Sequence, residues 1–346
     1  MNDFYTVRTK TGSISFQIGK RQIIVIFLLS IMSLLLFVLS LAVGSSFIHP
    51  FQVMKELVGF SSGEYDFILH TLRLPRVLLA FMVGAALGVA GLILQAVIRN
   101  PLASPDIIGI TSGASVGAIL FIVYLMGAVS ISFLPFAAIA GATIVSSIIY
   151  LLSWKKGVTP IRLVLIGIGV SAAMKAIVMM LIVVSETTIA TKSYLWLTGS
   201  LYGANWQDVS AMLPWLVIFI PSAFFLGRLV NVKELGDDVA TGLGVKVQQQ
   251  RLILLLISVA LAGAAAAFAG GIEFVGLIAP HIGRMLVGRS FASLVPISAL
   301  LGGMIVIIAD IVARTAFLPL DIPAGVFTAG IGAPFFIYLL YRNRNL

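Results

Sequence analysis

Residues 76–98, RVLLAFMVGAALGVAGLILQAVI, decide the fold. After Arg76 the run carries no charge, and Gln95 is its only polar side chain. A helix drawn through it is apolar on every side, so it has no face to offer water. About 20 such residues are enough for a helix to cross the hydrocarbon core of a bilayer. The rest of the chain has the same character: of 346 residues 60% are apolar and 10% charged, at a mean hydropathy of +1.12. Soluble domains carry about 25% charged residues, so an ordinary water-soluble globule is excluded. The chain holds no cysteine, which removes disulfide frameworks, thiolate metal sites and cysteine nucleophiles.

Outward from that run, apolar stretches bounded by Gly, Pro or charge fall near 22–43, 107–126, 131–152, 161–184, 209–230, 251–271, 274–287, 293–314 and 324–341. The chain therefore reads as an all-α polytopic membrane protein of about ten transmembrane helices. It forms a single transmembrane domain over 1–346, with 1–21 as an N-terminal tail and 234–248 as a connector between the sixth and seventh spans. The first stretch follows Lys20 and Arg21 and ends in small residues, as a signal peptide would. It is longer than the apolar core of about 7–15 residues that such a leader has, so it is expected to remain as a span with its N-terminus inside. On that assignment 16 of the 22 basic residues fall on cytoplasmic segments and both termini are cytoplasmic, as the positive-inside bias requires of a cell-membrane protein. Outside lie Lys55, Arg73, Arg76, Lys192 and Arg314, and Lys175 falls inside the fifth span. The net charge of +9 thus speaks of orientation rather than of nucleic acid, and no nucleic-acid partner is expected.

Gly84, Ala85, Ala86, Ala90, Gly91, Ile93, Pro101 and Gly109 recur 179 residues later as Gly263, Ala264, Ala265, Ala269, Gly270, Ile272, Pro280 and Gly288. Five spans separate the copies, so they run in opposite directions. Such a weak inverted internal repeat is a transporter signature, although small residues also recur wherever helices meet closely in lipid.

No G-x-x-x-x-G-K-[ST] and no H-E-x-x-H occurs; any ATP use has to come from a partner, and no catalytic residue, cofactor or metal site is expected. Ionisable groups inside spans are costly and usually have a reason. Asp310 and Arg314 are four apart and share a helix face, where they can pair. Glu273 is placed at an outer turn and Asp106 near a span end. Lys175 lies too deep for easy snorkelling: it either lines an aqueous path for an anionic cargo or pairs within the complex. The segment Glu234, Leu235, Gly236, Asp237, Asp238, Val239, Ala240, Thr241, Gly242, Leu243, Gly244 suits a short helix along the membrane with a glycine stop. From composition alone it reads as a solvated connector, because nothing in the segment names a partner.

Several blocks together resemble the permease subunits of the iron-siderophore and cobalamin (FecCD-like) class of ABC importers. They are Arg73-Leu74-Pro75-Arg76, Gly84 through Gln95, Asn100-Pro101-Leu102-Ala103 with Pro105 and Gly109, and Ser112-Gly113-Ala114. Further on come Leu235-Gly236-Asp237 with Ala240 and Leu243-Gly244, Phe274 through Ile278 with Pro280-His281 and Arg284, Ala309-Asp310 with Arg314, Pro323 with Gly325-Val326, and Gly332 through Phe335. The resemblance spans about 70–342 and implies a ten-helix permease. It would dimerise around a central path with itself or, somewhat favoured, with a second permease subunit. Two copies of an ATP-binding subunit would sit on its cytoplasmic side and a siderophore-binding protein on the other. It further implies that Arg73, Arg76 and Arg314 meet acidic residues of the binding protein, and that Glu234, Leu235, Gly236, Asp237, Asp238, Ala240, Leu243 and Gly244 form the coupling helix on the ATPase. Lys175 has no counterpart in the pattern. Ferric siderophore is the leading cargo, with cobalamin or haem as alternatives. An ion-coupled secondary transporter is the rival class, disfavoured because Asp106, Glu273 and Asp310 are expected toward span ends rather than at the midplane.

Overall fold

The computed structural model describes residues 4–8, 15–60, 63–233 and 236–342. The N-terminal tail is not featureless. Strand β1 (Phe4–Arg8) pairs antiparallel with β2 (Ser15–Gly19), Phe4 opposite Gly19 and Arg8 opposite Ser15. Phe, Tyr, Thr and Val in the first strand favour extended backbone, a local preference that the stronger membrane signal beside it hides. β2 leads directly into α1 (Lys20–Ala42), where the Gln22 side chain accepts from the Gly19 N–H at 3.0 Å.

After α1 come the short α2 (Pro50–Leu57), a π-helical turn (Phe67–Arg73) and α3 (Leu74–Ile98). Then follow α4 (Ile110–Tyr124), α5 (Leu134–Leu152), α6 (Pro160–Val183), α7 (Thr187–Thr198) and α8 (Trp206–Phe225). The second half runs through α9 (Gly227–Lys233), α10 (Asp237–Gly242), α11 (Val247–Ala269), α12 (Val275–Val287), α13 (Phe291–Thr315) and α14 (Ala324–Arg342). Among the described residues eight helices are long and apolar enough to span a membrane, and α4 and α12 are shorter apolar helices. Together they account for the ten stretches read from hydropathy.

The opening stretch is the axis of the bundle. In an 18-residue apolar stretch of α3, 89% of the residues are buried, against 17% in the corresponding stretches of α1 and of α8. Its glycines explain how it is enclosed: Gly84 faces the Gly302 carbonyl and Gly88 the Ser298 carbonyl of α13, and Gly91 faces the Gly276 carbonyl of α12. A Cβ at any of the three would overlap backbone, so small residues here set the distance between helix axes, as they do where no hydrophobic force drives helices together in lipid. Gly113 against Gly141 joins α4 to α5 in the same way.

The residue-level repeat is not a structural one. Gly91–Gln95 is continuous helix in α3, whereas the matching 270–274 is the non-helical break between α11 and α12. The small residues at 84–90 and 263–269 both pack inside helices, and the copies part at Gly91, which packs α3 against α12, and Gly270, which ends α11. What recurs is the order of elements: a long helix, a break, a short helix and two long helices, first in α3–α6 and again in α11–α14.

Candidate functional site

Charged side chains gather at three levels along the axis. At the end of the bundle where α3 begins, α1 stops with no basic residue in its own last turn, and the last carbonyls of a helix have no partner within the helix itself. Two arginines from elsewhere donate to them. Arg73 donates through Nη1 to the carbonyls of Leu41 (2.7 Å) and Ala42 (3.2 Å), and through Nη2 to the carbonyl (2.5 Å) and hydroxyl (3.2 Å) of Ser46. Arg314 donates to the Ser40 carbonyl (2.5 Å) and hydroxyl (2.7 Å) and lies 3.5 Å from Asp310, the pair that the four-residue spacing led us to expect. Arg76 completes the cluster. Its Nε donates to Asp310 at 2.9 Å, and its Nη1 and Nη2 hold both oxygens of Asp321 at 2.7 and 3.0 Å.

All three arginines are thus engaged within the chain. Arg73 and Arg314 are only 6% and 8% exposed, and the Arg76 side chain 12%. A guanidinium has five donors in a planar fork, and the buried carbonyls at the end of α1 supply acceptors for it. Lys55 and Lys192, on the same side in the sequence reading, are exposed.

At the middle level, the chain after α3 does not stay at the bundle's end. It climbs to a short 3-10 turn, Pro105–Ile108, whose Ile107 carbonyl sits where a Cβ of Gly167 would be and whose Asp106 carbonyl accepts from the Ser171 hydroxyl at 3.3 Å. Both partners lie in the middle of α6. The Asp106 carboxylate is held by the hydroxyls of Ser104 (3.2 Å) and Thr111. Glu273, in the break before α12, lines one small recess with Asp106, Ser104 and Thr111, and it feels the charges of both Asp106 and Lys175. The outer-turn placement of Glu273 and the span-end placement of Asp106 are therefore corrected. Two breaks, one from each half of the chain, bring these carboxylates together beside a lysine one turn beyond Ser171.

Lys175 is exposed on α6, in a stripe with Ile161, Leu165 and Ile168. A cavity of about 1130 Å³ near the start of α8 is lined by Trp196, Tyr202, Trp215 and Lys192 but not by Lys175. The lysine faces outward from a single chain.

At the third level, where α3 ends, Glu234 and Leu235 lie outside the described residues. Gly236 holds φ +116° with open space about it, so a side chain there is excluded by backbone conformation rather than by crowding. The short helix expected of this segment is α10; Ala240 is buried beneath it, while Asp238, Val239 and Leu243 are exposed and Gly244 turns away at φ +83°. Asp237 points inward. One oxygen accepts from Arg99 and the other from Arg251 at 2.7 Å. Arg251 is 1% exposed and also donates to the Val158 carbonyl between α5 and α6, where Gln248 pairs with the backbone of the same residue at 3.0 and 3.3 Å. Arg99 adopts the left-handed conformation (φ 57°, ψ 36°) as it caps α3, a geometry that costs a non-glycine residue on the order of 1–3 kcal/mol.

Arg99, Gln248 and Arg251 entered the sequence reading only as part of a charge count or not at all. Phase was the available signal: Arg251 falls four residues after Val247 and seven before Ser258, on the buried stripe of α11.

A bundle of ten apolar helices organised around broken segments defines a polytopic membrane transport protein. The chain belongs to the FecCD transport family, whose model matches residues 28–342. It is 46% identical over 336 residues to the achromobactin transport system permease protein CbrC of Dickeya dadantii (strain 3937), covering 97% of this chain and 96% of that one. To the iron(3+)-hydroxamate import system permease protein FhuG of Bacillus subtilis (strain 168) it is 42% identical, with 93% and 98% covered. Among solved structures, a metal-chelate type ABC transporter in an inward-facing conformation superposes with a TM-score of 0.81 at 31% identity, covering 92% of this chain and 99% of that one.

Proposed function

We propose that the chain is the membrane-spanning permease of an ABC importer that carries a ferric siderophore across the cytoplasmic membrane. The observation that carries this reading is likeness over nearly the full length to permeases named for achromobactin and iron(3+)-hydroxamate transport, in a sequence with no nucleotide-binding motif of its own. On this reading the Arg99 end is cytoplasmic and carries two ATP-binding subunits. The Arg73 end faces outward and receives the siderophore-binding protein. A second permease subunit, a different chain rather than a copy, closes the path against α6 and α14. ATP-driven closure of the ATPases moves α10, and the halves rock so that cargo released at one end leaves at the other.

Docking is assigned to the surface that Arg73, Arg76 and Arg314 organise. Arg73 and Arg314 shape it by fixing the end of α1. Arg76, the most exposed of the three, is the one within reach of a carboxylate from the binding protein, in exchange for Asp321. Coupling is assigned to 234–248, with Val239 and Leu243 as the exposed apolar contacts. Lys175 lines the path and favours an anionic cargo.

The test is uptake of radio-iron siderophore by proteoliposomes holding both permease subunits, their ATPase and their binding protein. Uptake is expected to require ATP and to survive a protonophore. Uptake that persists without ATP and collapses with the proton gradient would place the chain with ion-coupled carriers, for which the Asp106 and Glu273 pair supplies the polar break that class needs. Uptake of cobalamin or haem instead of the siderophore would reassign the cargo.

A further inference from the structure

The cytoplasmic connector contains a helix of only six residues, Asp237–Gly242, too short to be stable alone. Something must hold it at a fixed attitude to the bundle if it is to transmit force. Ala240 supplies one buried contact, and one methyl group sets no direction. The stronger hold is Asp237. Its two oxygens are taken by guanidiniums from two different spans, Arg99 at the end of α3 and Arg251 one turn into α11. Arg251 reaches on to the Val158 carbonyl, and Gln248, on the neighbouring turn, grips the Val158 N–H and carbonyl together. Two spans, α3 and α11, therefore converge on one carboxylate, and the loop joining α5 to α6 is tied to it through Arg251.

The burial is uneven in an informative way. The Arg251 side chain is 1% exposed, its Nε has no hydrogen-bond partner, and the Asp237 carboxylate is its counter-charge. A buried guanidinium that lost that partner would be strongly destabilised. Arg99 and Asp237 keep about a third of their surface in water, so that link can yield and reform while the Arg251 link stays. Arg99 also holds a left-handed backbone as it ends α3, which turns its side chain toward α10 rather than along the helix. The pair Arg99–Asp237 is thus a yielding joint and the pair Arg251–Asp237 a fixed one.

We propose that Asp237, clamped by Arg99 and Arg251, is the positioning residue that transmits the motion of the cytoplasmic helix into α3, α11 and the α5–α6 loop. Asp237 itself faces the bundle rather than the ATPase. This rests on the coupling role proposed above for 234–248, and the two can fail separately.

The experiment uses the full reconstituted complex, and its readout is transport per ATP hydrolysed. Because the chain has no cysteine, a single cysteine at Val239 or Leu243 reports ATPase contact by cross-linking without further engineering. Arg99→Gln removes the exposed link only and is expected to leave the complex assembled and the cross-link intact. It should lower transport per ATP about fivefold to tenfold, a coupling free energy of ordinary size between linked sites. Asp237→Asn is expected to lower it further, and Asp237→Glu to restore most of it. Should Asp237→Asn fail to assemble, Arg99→Gln alone decides.

Parental transport per ATP in Arg99→Gln and in any assembled Asp237→Asn complex would overturn the clamp. So would loss of the ATPase from an otherwise folded Asp237→Asn permease, because Asp237 would then be a direct contact. Absence of any cross-link from Val239 and Leu243 in the parental complex would instead remove the coupling role of the segment itself.

Discussion

Asp310 is fully buried and depends on two arginines, with Arg76 at 2.9 Å and Arg314 at 3.5 Å. Removing one partner of a buried ion pair costs about 3–5 kcal/mol, because the remaining charge is stranded; with Arg314 still near, Arg76→Gln is expected at the low end of that range. Asp310→Asn in the same chain should recover part of the loss. Thermal unfolding in detergent, run as a double-mutant cycle, measures both, and a double variant destabilised by the sum of the two single variants would mean that the pair contributes little. The sequence placed Arg73, Arg76 and Arg314 on one side of the spans, and the structure gathers all three at one end of the bundle. The sequence could not tell that two of them serve as donors to the end of α1, because a helix's unmet carbonyls have no residue type to mark them. Lys175 is the opposite case. Its depth was legible by counting along the span, and its neighbours Glu273 and Asp106 were not, since each arrives from a break whose path hydropathy does not describe. Lys175→Met keeps the stem and removes the charge, so a path role predicts slower siderophore uptake with the complex intact. Loss of assembly would mark a pairing role instead.

Helices were legible where they are long and uniformly apolar, and less so where the chain departs from regular structure inside the bundle. The ten stretches of hydropathy correspond to eight long helices and two short ones, but the shortness of α12 comes from Gly270 and Gly271, whose positions beside the backbone of Trp196 and Leu197 leave no room for a side chain. Glycine content alone does not separate such a break from a packing contact, which is why two Gly/Ala-rich segments matched in sequence and diverged in structure. The distinction can be tested by substitution. Gly91→Leu places a side chain where the Gly276 carbonyl now lies and is expected to abolish the monodisperse permease peak in size-exclusion chromatography. Gly169→Ala, in a helix with open space around it, should be neutral or raise the melting point slightly, given the roughly 1 kcal/mol preference for alanine in helix interiors. If both variants behave alike, the close approaches are not what fixes the helix spacing.

For the molecule as a whole, the uneven burial of its helices describes the complex it is built for. The exposed stripe of α6 carries a lysine, Lys175, among aliphatic side chains. A lysine held against lipid at that depth is disfavoured by about 2.5–3.5 kcal/mol, so this face is expected to be covered by a second permease chain. Single-cysteine cross-linking from Ile168 should capture that chain and not lipid-exposed positions of α1 such as Leu34. The glycine contacts of α3 carry a mechanical implication. Interfaces made of long side chains can slide, because rotamers change to follow; a carbonyl seated against a bare Cα has nothing to rearrange. α3, α12 and α13 are therefore expected to move as one rigid body, with alternating access turning the other helices relative to it. Spin labels on α3 and α13 should keep one distance through the ATP cycle, while labels on α6 of the two permease subunits move apart and together.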